Sequence, residues 1–272
     1  MKPTGIWEKH ARQWSKLGPP LRPCADDIGF LEQAISGHCS GCVSPRAILL
    51  GVTPEIARMR WPAGTQLLAV DNNEDVIVHV WPGNPEIRAE AVCGDWTKLP
   101  VGDASCDVVV GDGCFITCQH PEGYAAVARE IRRVLKCGGL FAIRVFIRPD
   151  AAEPLAAVFN DLRAGRIGGF HAFKWRLAMA LHADLARGVR LGDIWNAWNE
   201  AVPEPGALAR VLNWPMEAVG TIDAYRELDT HYTYPTLTEF RHALSAHFSE
   251  TACRHPGYEL GQRCPTFLFT PR

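Results

Sequence analysis

The chain has 272 residues, of which 47% are hydrophobic, and 28 Lys and Arg set against 30 Asp and Glu give a formal net charge of −2. This length suits one large domain, or a domain with an appended subdomain, and the apolar content fills a real core, which excludes disordered and fibrous classes. So balanced a charge offers no broad basic field to a polyanion, and without a local basic patch nucleic acid is not expected as a partner.

Residues 1–45 are rich in Trp, Pro and Gly (Trp7, Trp14, Gly18, Pro19, Pro20, Pro23) and read as an N-terminal cap, with a short helical stretch on each side of the Gly-Pro-Pro break. Its start mixes Lys2, Glu8, Lys9, His10, Arg12 and Lys16 with few apolar residues, unlike a signal peptide. Nowhere is there an uncharged apolar run of the ~18 residues needed to cross a bilayer. A cytoplasmic protein with no membrane partner is therefore expected.

Residues 46–150 alternate short apolar runs with turns and helices, the pattern of βαβ units and a mostly parallel sheet. Strands are expected at 47–50, 67–70, 88–93, 107–110 and 140–147. A helix beginning near Pro121 presents Tyr124, Val127, Ala128, Ile131, Val134 and Leu135 on one face, and Gly138 with Gly139 is expected to close it. Across 151–230 the texture changes: Phe173, Leu177, Leu181, Leu185 and Val189 recur every four residues, and Trp175, Trp195, Trp198 and Trp214 cluster nearby. This segment reads as an inserted helical lid. Residues 231–272 return to the core. Thr236 and Glu239 form a capping box ahead of Leu237, Phe240, Leu244 and Phe248, and the runs 251–253 and 266–269 form a closing antiparallel hairpin.

Four turns, each after a strand, carry the chemistry. In Leu50-Gly51-Val52-Thr53-Pro54-Glu55, Gly51 admits a close ligand, Thr53 caps the next helix and Pro54 suits its first turn, so free N–H groups face the ligand. Asp71 ends the second strand, and 71 − 51 = 20 positions is the separation at which an α/β nucleotide site places its ribose-binding acid. Gly51 alone would be a tight turn, and Asp71-Asn72-Asn73 alone would be a strand end. Their register favours ligand binding. Gly94-Asp95-Trp96 offers a polar and aromatic pair to an adenine, and Gly111-Asp112-Gly113-Cys114 follows the fourth strand. All four lie where open α/β sheets bind ligands.

These segments, with Asp107-Val108-Val109-Val110 and Val134-Leu135-Lys136-Cys137-Gly138-Gly139-Leu140, resemble the class I S-adenosylmethionine-dependent methyltransferases over roughly residues 45–150 plus the terminal hairpin. The resemblance implies a Rossmann-like α/β fold whose sheet has seven strands with the last antiparallel, Pro265-Thr266-Phe267-Leu268-Phe269 being that strand. It implies S-adenosyl-L-methionine as cofactor, with Gly51, Val52 and Thr53 at its methionine part and Asp71 on both ribose hydroxyls. Asn72 would flank the adenine, Asp95 and the Trp96 backbone would meet its edge, and Asp112 and Gly113 would lie beside the sulfonium. The first loop departs from the family pattern in having one glycine and Thr-Pro-Glu. Arg22, in the stiff Pro19-Pro20-Leu21-Arg22-Pro23 segment, is expected to reach the cofactor carboxylate.

Methyl transfer needs alignment and exclusion of water more than a dedicated nucleophile, so the lack of a hydrolase-like triad agrees with it. His10, His120 and His171 are candidate bases, with nothing to choose between them. Trp175, Trp195, Trp198 and Tyr225 can wall an apolar pocket for a small-molecule methyl acceptor, methylated on O, N or C. Two alternatives remain: a non-catalytic binder of S-adenosylmethionine or S-adenosylhomocysteine, and a nicotinamide-dependent oxidoreductase, which would want a fuller G-x-G-x-x-G turn. His38-Cys39-Ser40-Gly41-Cys42 lacks a second motif of zinc spacing, so no metal is expected and the ten cysteines read as reduced thiols. Arg144, inside an apolar strand, is expected only to pair with a buried carboxylate.

Overall fold

The structure is a computed structural model and describes residues 13–272. His10 lies outside the described residues. After a single turn of 3₁₀ helix at Trp14–Lys16, the chain enters helix α1 (Ala25–His38). It then alternates β1 (Arg46–Leu50), α2 (Pro54–Ala57), β2 (Gln66–Asp71), α3 (Glu74–Val80), β3 (Arg88–Cys93), β4 (Cys106–Asp112), α4 (Glu122–Val134) and β5 (Leu135–Arg144).

The next stretch is mostly helical: α5 (Leu155–Arg163), α6 (Phe170–Leu181), α7 (Leu191–Ala201), α8 (Pro205–Val211) and α9 (Met216–Val219). A two-stranded ribbon, β6 (Val189–Arg190) with β7 (His231–Tyr232), ties it together. Helix α10 (Leu237–Leu244) leads to β8 (Phe248–Arg254) and β9 (Thr266–Pro271). The Thr236–Glu239 capping box is present in both directions.

Seven strands form one sheet in the order β3-β2-β1-β4-β5-β9-β8. Strands β1 to β5 pair in parallel, and β9 runs antiparallel between β5 and β8. β1 is central, flanked by β2 and β4, so the connections leave it in opposite directions and open a crevice at the strands' carboxyl ends. Both faces of the sheet are covered, which is why β1 and β4 read as nearly continuous apolar runs. The period of two sends Ala47 and Leu49 to one face against Leu31, Ile35 and Ile56. Ile48 and Leu50 face the other way, against Val127, Ile131, Phe240 and Leu244. A third apolar cluster, including Phe159, Phe173, Leu177, Trp198 and Trp214, belongs to the helices between β5 and β8.

The structure corrects four local expectations. Gly138 and Gly139 do not close a helix, because α4 ends at Val134 and both glycines lie inside β5. There Leu135 pairs with Cys106 before an irregularity restores the register at Leu140, and the strand ends at Arg144 rather than 147. The four-residue apolar repeat outlasts its helix: α6 stops at Leu181, and Leu185 and Val189 lie beyond it. Thr53 precedes a helix of only four residues and its side chain makes no capping bond.

Candidate active site

At the carboxyl end of β1, Gly51 takes a left-handed conformation (φ +87°), which glycine adopts without a Cβ penalty, and its N–H donates to the Val70 carbonyl at 2.8 Å. That bend brings it beside the end of β2. A Cβ added to Gly51 would lie 3.8 Å from Asp71 Oδ2 and 3.9 Å from the Trp96 ring, so the three residues converge. Asp71 Oδ1 accepts from the Asn73 N–H at 3.0 Å. Burial pushes the Asp71 carboxyl up, and the Asn73 and Asn72 N–H groups pull it part of the way back.

After β3, Asp95 Oδ1 accepts from the Thr97 N–H and hydroxyl, both at 2.8 Å, so the turn is held by its own acid. Trp96 turns its indole inward and donates from Nε1 to the Val70 carbonyl at 2.6 Å. The side chain, and not only the backbone expected from the resemblance, thus lies between two cavities. One, of about 330 Å³, is lined by Asp71, Asn72, Asp95, Trp96, Thr117 and His231 among others. The second, of about 150 Å³, runs from Gly51, Val52, Thr53 and Asp71 past Asp112 and Gly113 to Trp175, Tyr225 and Tyr232.

At the end of β4, Asp112 accepts from Arg144 Nε at 2.6 Å, the buried pairing expected of Arg144. Both are almost fully enclosed, with side-chain exposures of 5% and 1%. Burial pushes the Asp112 carboxyl up and the guanidinium pulls it part of the way back, while Asp112, Tyr258 and Cys264 raise Arg144 against its own desolvation. Arg144 Nη1 also donates to the Pro20 carbonyl at 2.8 Å and to Tyr258 Oη at 3.0 Å. Gly113 follows at φ +64°, and a Cβ there would come within 2.6 Å of the Phe146 ring.

Arg22 is engaged elsewhere than expected. Its Nε donates to Glu55 Oε1 at 2.7 Å and Nη1 to the Trp14 carbonyl at 3.0 Å, and it lines neither cavity. Arg22 fastens the Pro-rich segment to the first turn, and this brings Trp14, Leu17 and Leu21 onto the second cavity. Of the four aromatic residues expected to wall an acceptor pocket, Trp175 and Tyr225 do so. Trp198 sits in the helical core, and Trp195 donates to Asp223 at 3.1 Å.

Neither His120 nor His171, the two candidate bases among the described residues, lines the cavities. His171 bonds the Lys16 carbonyl at 3.0 Å and is pushed down to about 4, by burial and by Lys174, while His120 packs edge-on against Tyr124. Sequence reasoning passed over Phe146, Tyr232, His231 and Lys174. The last was signalled: Lys174 shares one stripe of α6 with Phe170 and Ala178, beside the apolar stripe Phe173, Leu177 and Leu181, which places a lysine in the interior. All ten cysteines are free thiols, and among the described residues no group of three or more His, Cys, Asp or Glu is placed to hold a metal ion.

Residues 51–143, which carry the four turns from Gly51 to Gly113, match the methyltransferase domain family. That match spans about a third of the chain and agrees with the resemblance to the class I S-adenosylmethionine-dependent methyltransferases. It is similar to a Mycobacterium tuberculosis protein named as a probable S-adenosylmethionine-dependent methyltransferase, Rv3030, with 34% identity over 94 residues, 33% of this chain and 32% of that relative. The matched segment thus spans about a third of that relative's length. Among solved structures, the fold is similar to the CcbJ methyltransferase of Streptomyces caelestis (TM-score 0.58, 13% identity, covering 100% of this chain and 99% of that one). It is also similar to a Rhodobacter sphaeroides protein provisionally assigned to the zinc-dependent alcohol dehydrogenases (TM-score 0.61, 10% identity, covering 100% of both). At such identities both show the Rossmann-like fold alone.

Proposed function

We propose that this protein transfers the methyl group of S-adenosyl-L-methionine to a small molecule. The observation that carries the reading is the line Gly51, Asp71, Trp96, Asp112 and Gly113 at the carboxyl ends of β1 to β4, opening on a cavity whose far wall is Trp175, Tyr225 and Tyr232. The donor set suits the cofactor. Asp71 keeps Oδ2 for the ribose hydroxyls, Asp95 and Asn72 border the roomier cavity for the adenine, and Trp96 provides an apolar surface between base and ribose. Gly51, Val52 and Thr53 border the space for the methionine part, and Asp112 and Gly113 flank the sulfonium.

The bound cofactor supplies an electrophilic methyl carbon. The chain's own work is to align the acceptor with it and keep water out, which the apolar wall favours. On this reading residues 46–150 and 231–272 form the cofactor-binding core, residues up to 45 a cap over it, and residues 151–230 the lid that selects the acceptor. Free cysteines throughout agree with a reducing compartment, and no helix among the described residues is long and apolar enough to cross a membrane, which favours the cytoplasm.

The test is calorimetric titration with S-adenosylmethionine and S-adenosylhomocysteine, with NADH as control and Asp71→Ala as the site variant. Micromolar binding of both sulfur compounds, lost in the variant, supports the reading. Binding of NADH alone would move the protein to the oxidoreductases, and binding without turnover of any acceptor would leave a sensor.

A further inference from the structure

The acceptor end of the smaller cavity has an unusual charge arrangement. Its wall is aromatic and aliphatic: Trp14, Leu21, Phe146, Trp175, Tyr225 and Tyr232. The titratable groups on that lining are poor bases. Tyr225 and Tyr232 are held protonated by burial, as is Cys114, and Asp112 is bound to Arg144. Asp71 stands at the ribose end. An acceptor that had to lose a proton during transfer would find, among the described residues, no side chain on that lining to take it.

Two cations stand directly behind the aromatic wall. Arg144 lies over the Phe146 ring, 5.0 Å from its centroid, and is neutralised by Asp112. Lys174 lies over the Tyr225 ring at 5.1 Å, is 0% exposed, and forms no salt bridge among the described residues. Its hydrogen bond, 3.0 Å long, goes to the Thr221 hydroxyl, a neutral group. Burial alone pulls this lysine down to about 7, with no carboxylate among the causes. His171, one turn earlier on α6, is neutral at that pH. A buried ammonium without an anion is costly, and it becomes favourable when an anion comes near. The indole N–H groups of Trp14 and Trp175, both on the cavity wall, are also buried without an acceptor among the described residues.

We propose that the methyl acceptor is a planar aromatic molecule with an acidic hydroxyl, bound and methylated on oxygen as its anion, with Lys174 as the positioning cation behind the Tyr225 ring. The inference rests on the methyltransferase reading. The acceptor's oxygen bonds to the methyl carbon, the carbon–sulfur bond breaks with its electron pair left on sulfur, and the sulfonium becomes a neutral thioether. No proton moves in the step, because the acceptor arrives without it. An aliphatic alcohol would need a base that the described wall lacks, and a protonated amine would meet the lysine's charge.

The test uses the whole chain and 4-nitrophenol, whose anion absorbs in the visible. With S-adenosylhomocysteine bound, a spectroscopic pH titration should show the bound phenol ionising about one pH unit lower than in water, and Lys174→Met should abolish that shift. Under turnover, 4-nitrophenol should be methylated at least about tenfold faster than phenol and faster than aniline, with cyclohexanol and benzylamine, an amine protonated at neutral pH, inert, and Lys174→Met should flatten that preference. Circular dichroism establishes that the variant is folded; if it is not, the wild-type shift and acceptor ranking decide alone. Binding of the neutral phenol, or methylation of aniline ahead of the phenols, would overturn the proposal. Failure to bind S-adenosylhomocysteine at all would instead overturn the methyltransferase reading beneath it.

Discussion

The two ends of the candidate site are built by different means. The cofactor end is made of strand termini: Gly51, Asp71, Asp95 and Asp112 each follow a strand fixed by its neighbours on both sides or by the next strand in the sheet. Its polar groups are satisfied locally, by Asn73, by Thr97 and by Arg144. The acceptor end is made of side chains from helices and short connections that pack on one another, Trp175 against Phe146 and Tyr232, Tyr225 against Tyr232. Among the described residues its one buried lysine, Lys174, pairs with no carboxylate. Sheet termini hold a constant ligand in place, whereas an apolar cluster adapts by changing side chains, so the first end suits the invariant cofactor and the second a particular acceptor.

Substitutions should separate the two ends, from the largest effect to the smallest. Arg144→Leu would leave Asp112 buried and unpaired and should lower stability by about 3–5 kcal/mol, measured by urea denaturation. Lys174→Met should do the reverse. The folded pKa of Lys174 lies below its unfolded value, so the unfolded chain binds more protons between pH 7 and 10.5 and wild-type stability rises with pH through that window. The variant should therefore be more stable by roughly 4 kcal/mol below pH 7, with the advantage vanishing above pH 10, as read from melts across pH.

Asp71→Ala should weaken S-adenosylhomocysteine binding about 100-fold by calorimetry, while leaving the helical cluster's melting unchanged. Gly113→Ala, which must meet the Phe146 ring at a left-handed position, should cost about 2 kcal/mol and couple the two ends, since Phe146 belongs to the acceptor wall. Arg22→Ala removes a largely buried pair, each side chain 22% exposed, and should lower stability by about 1 kcal/mol. If it weakens cofactor binding, the effect should come through a loosened Trp14–Leu21 segment and be restored in part by Arg22→Lys.

The difference between the two ends is also a difference in legibility. Strands carry their period in the sequence, so β3 was placed residue for residue, the order of the turns followed, and Asp71 could be matched to Gly51 by counting. What escaped was decided by contacts distant in the chain. Gly138-Gly139 looks like a helix stop, but β4 draws the backbone into a strand. The apolar repeat after Leu181 continues on a chain that has left the helix, where His182 Nε2 accepts from the Tyr234 N–H at 3.1 Å. Arg22 found Glu55, 33 residues on, and no local pattern announces that pairing. The acceptor wall draws on residues 14–21, 146, 175, 225 and 232, which only tertiary packing can gather.

Arg144 joins pieces made at very different times during synthesis. Its guanidinium touches Asp112 and also the backbone at Pro20 and the hydroxyl of Tyr258, 114 residues further on. A nascent chain that has emerged through β5 already has all four turns of the cofactor end, yet the junction behind Asp112 still lacks Tyr258. Ligand-binding competence on the ribosome should thus appear late, when the closing hairpin is in place.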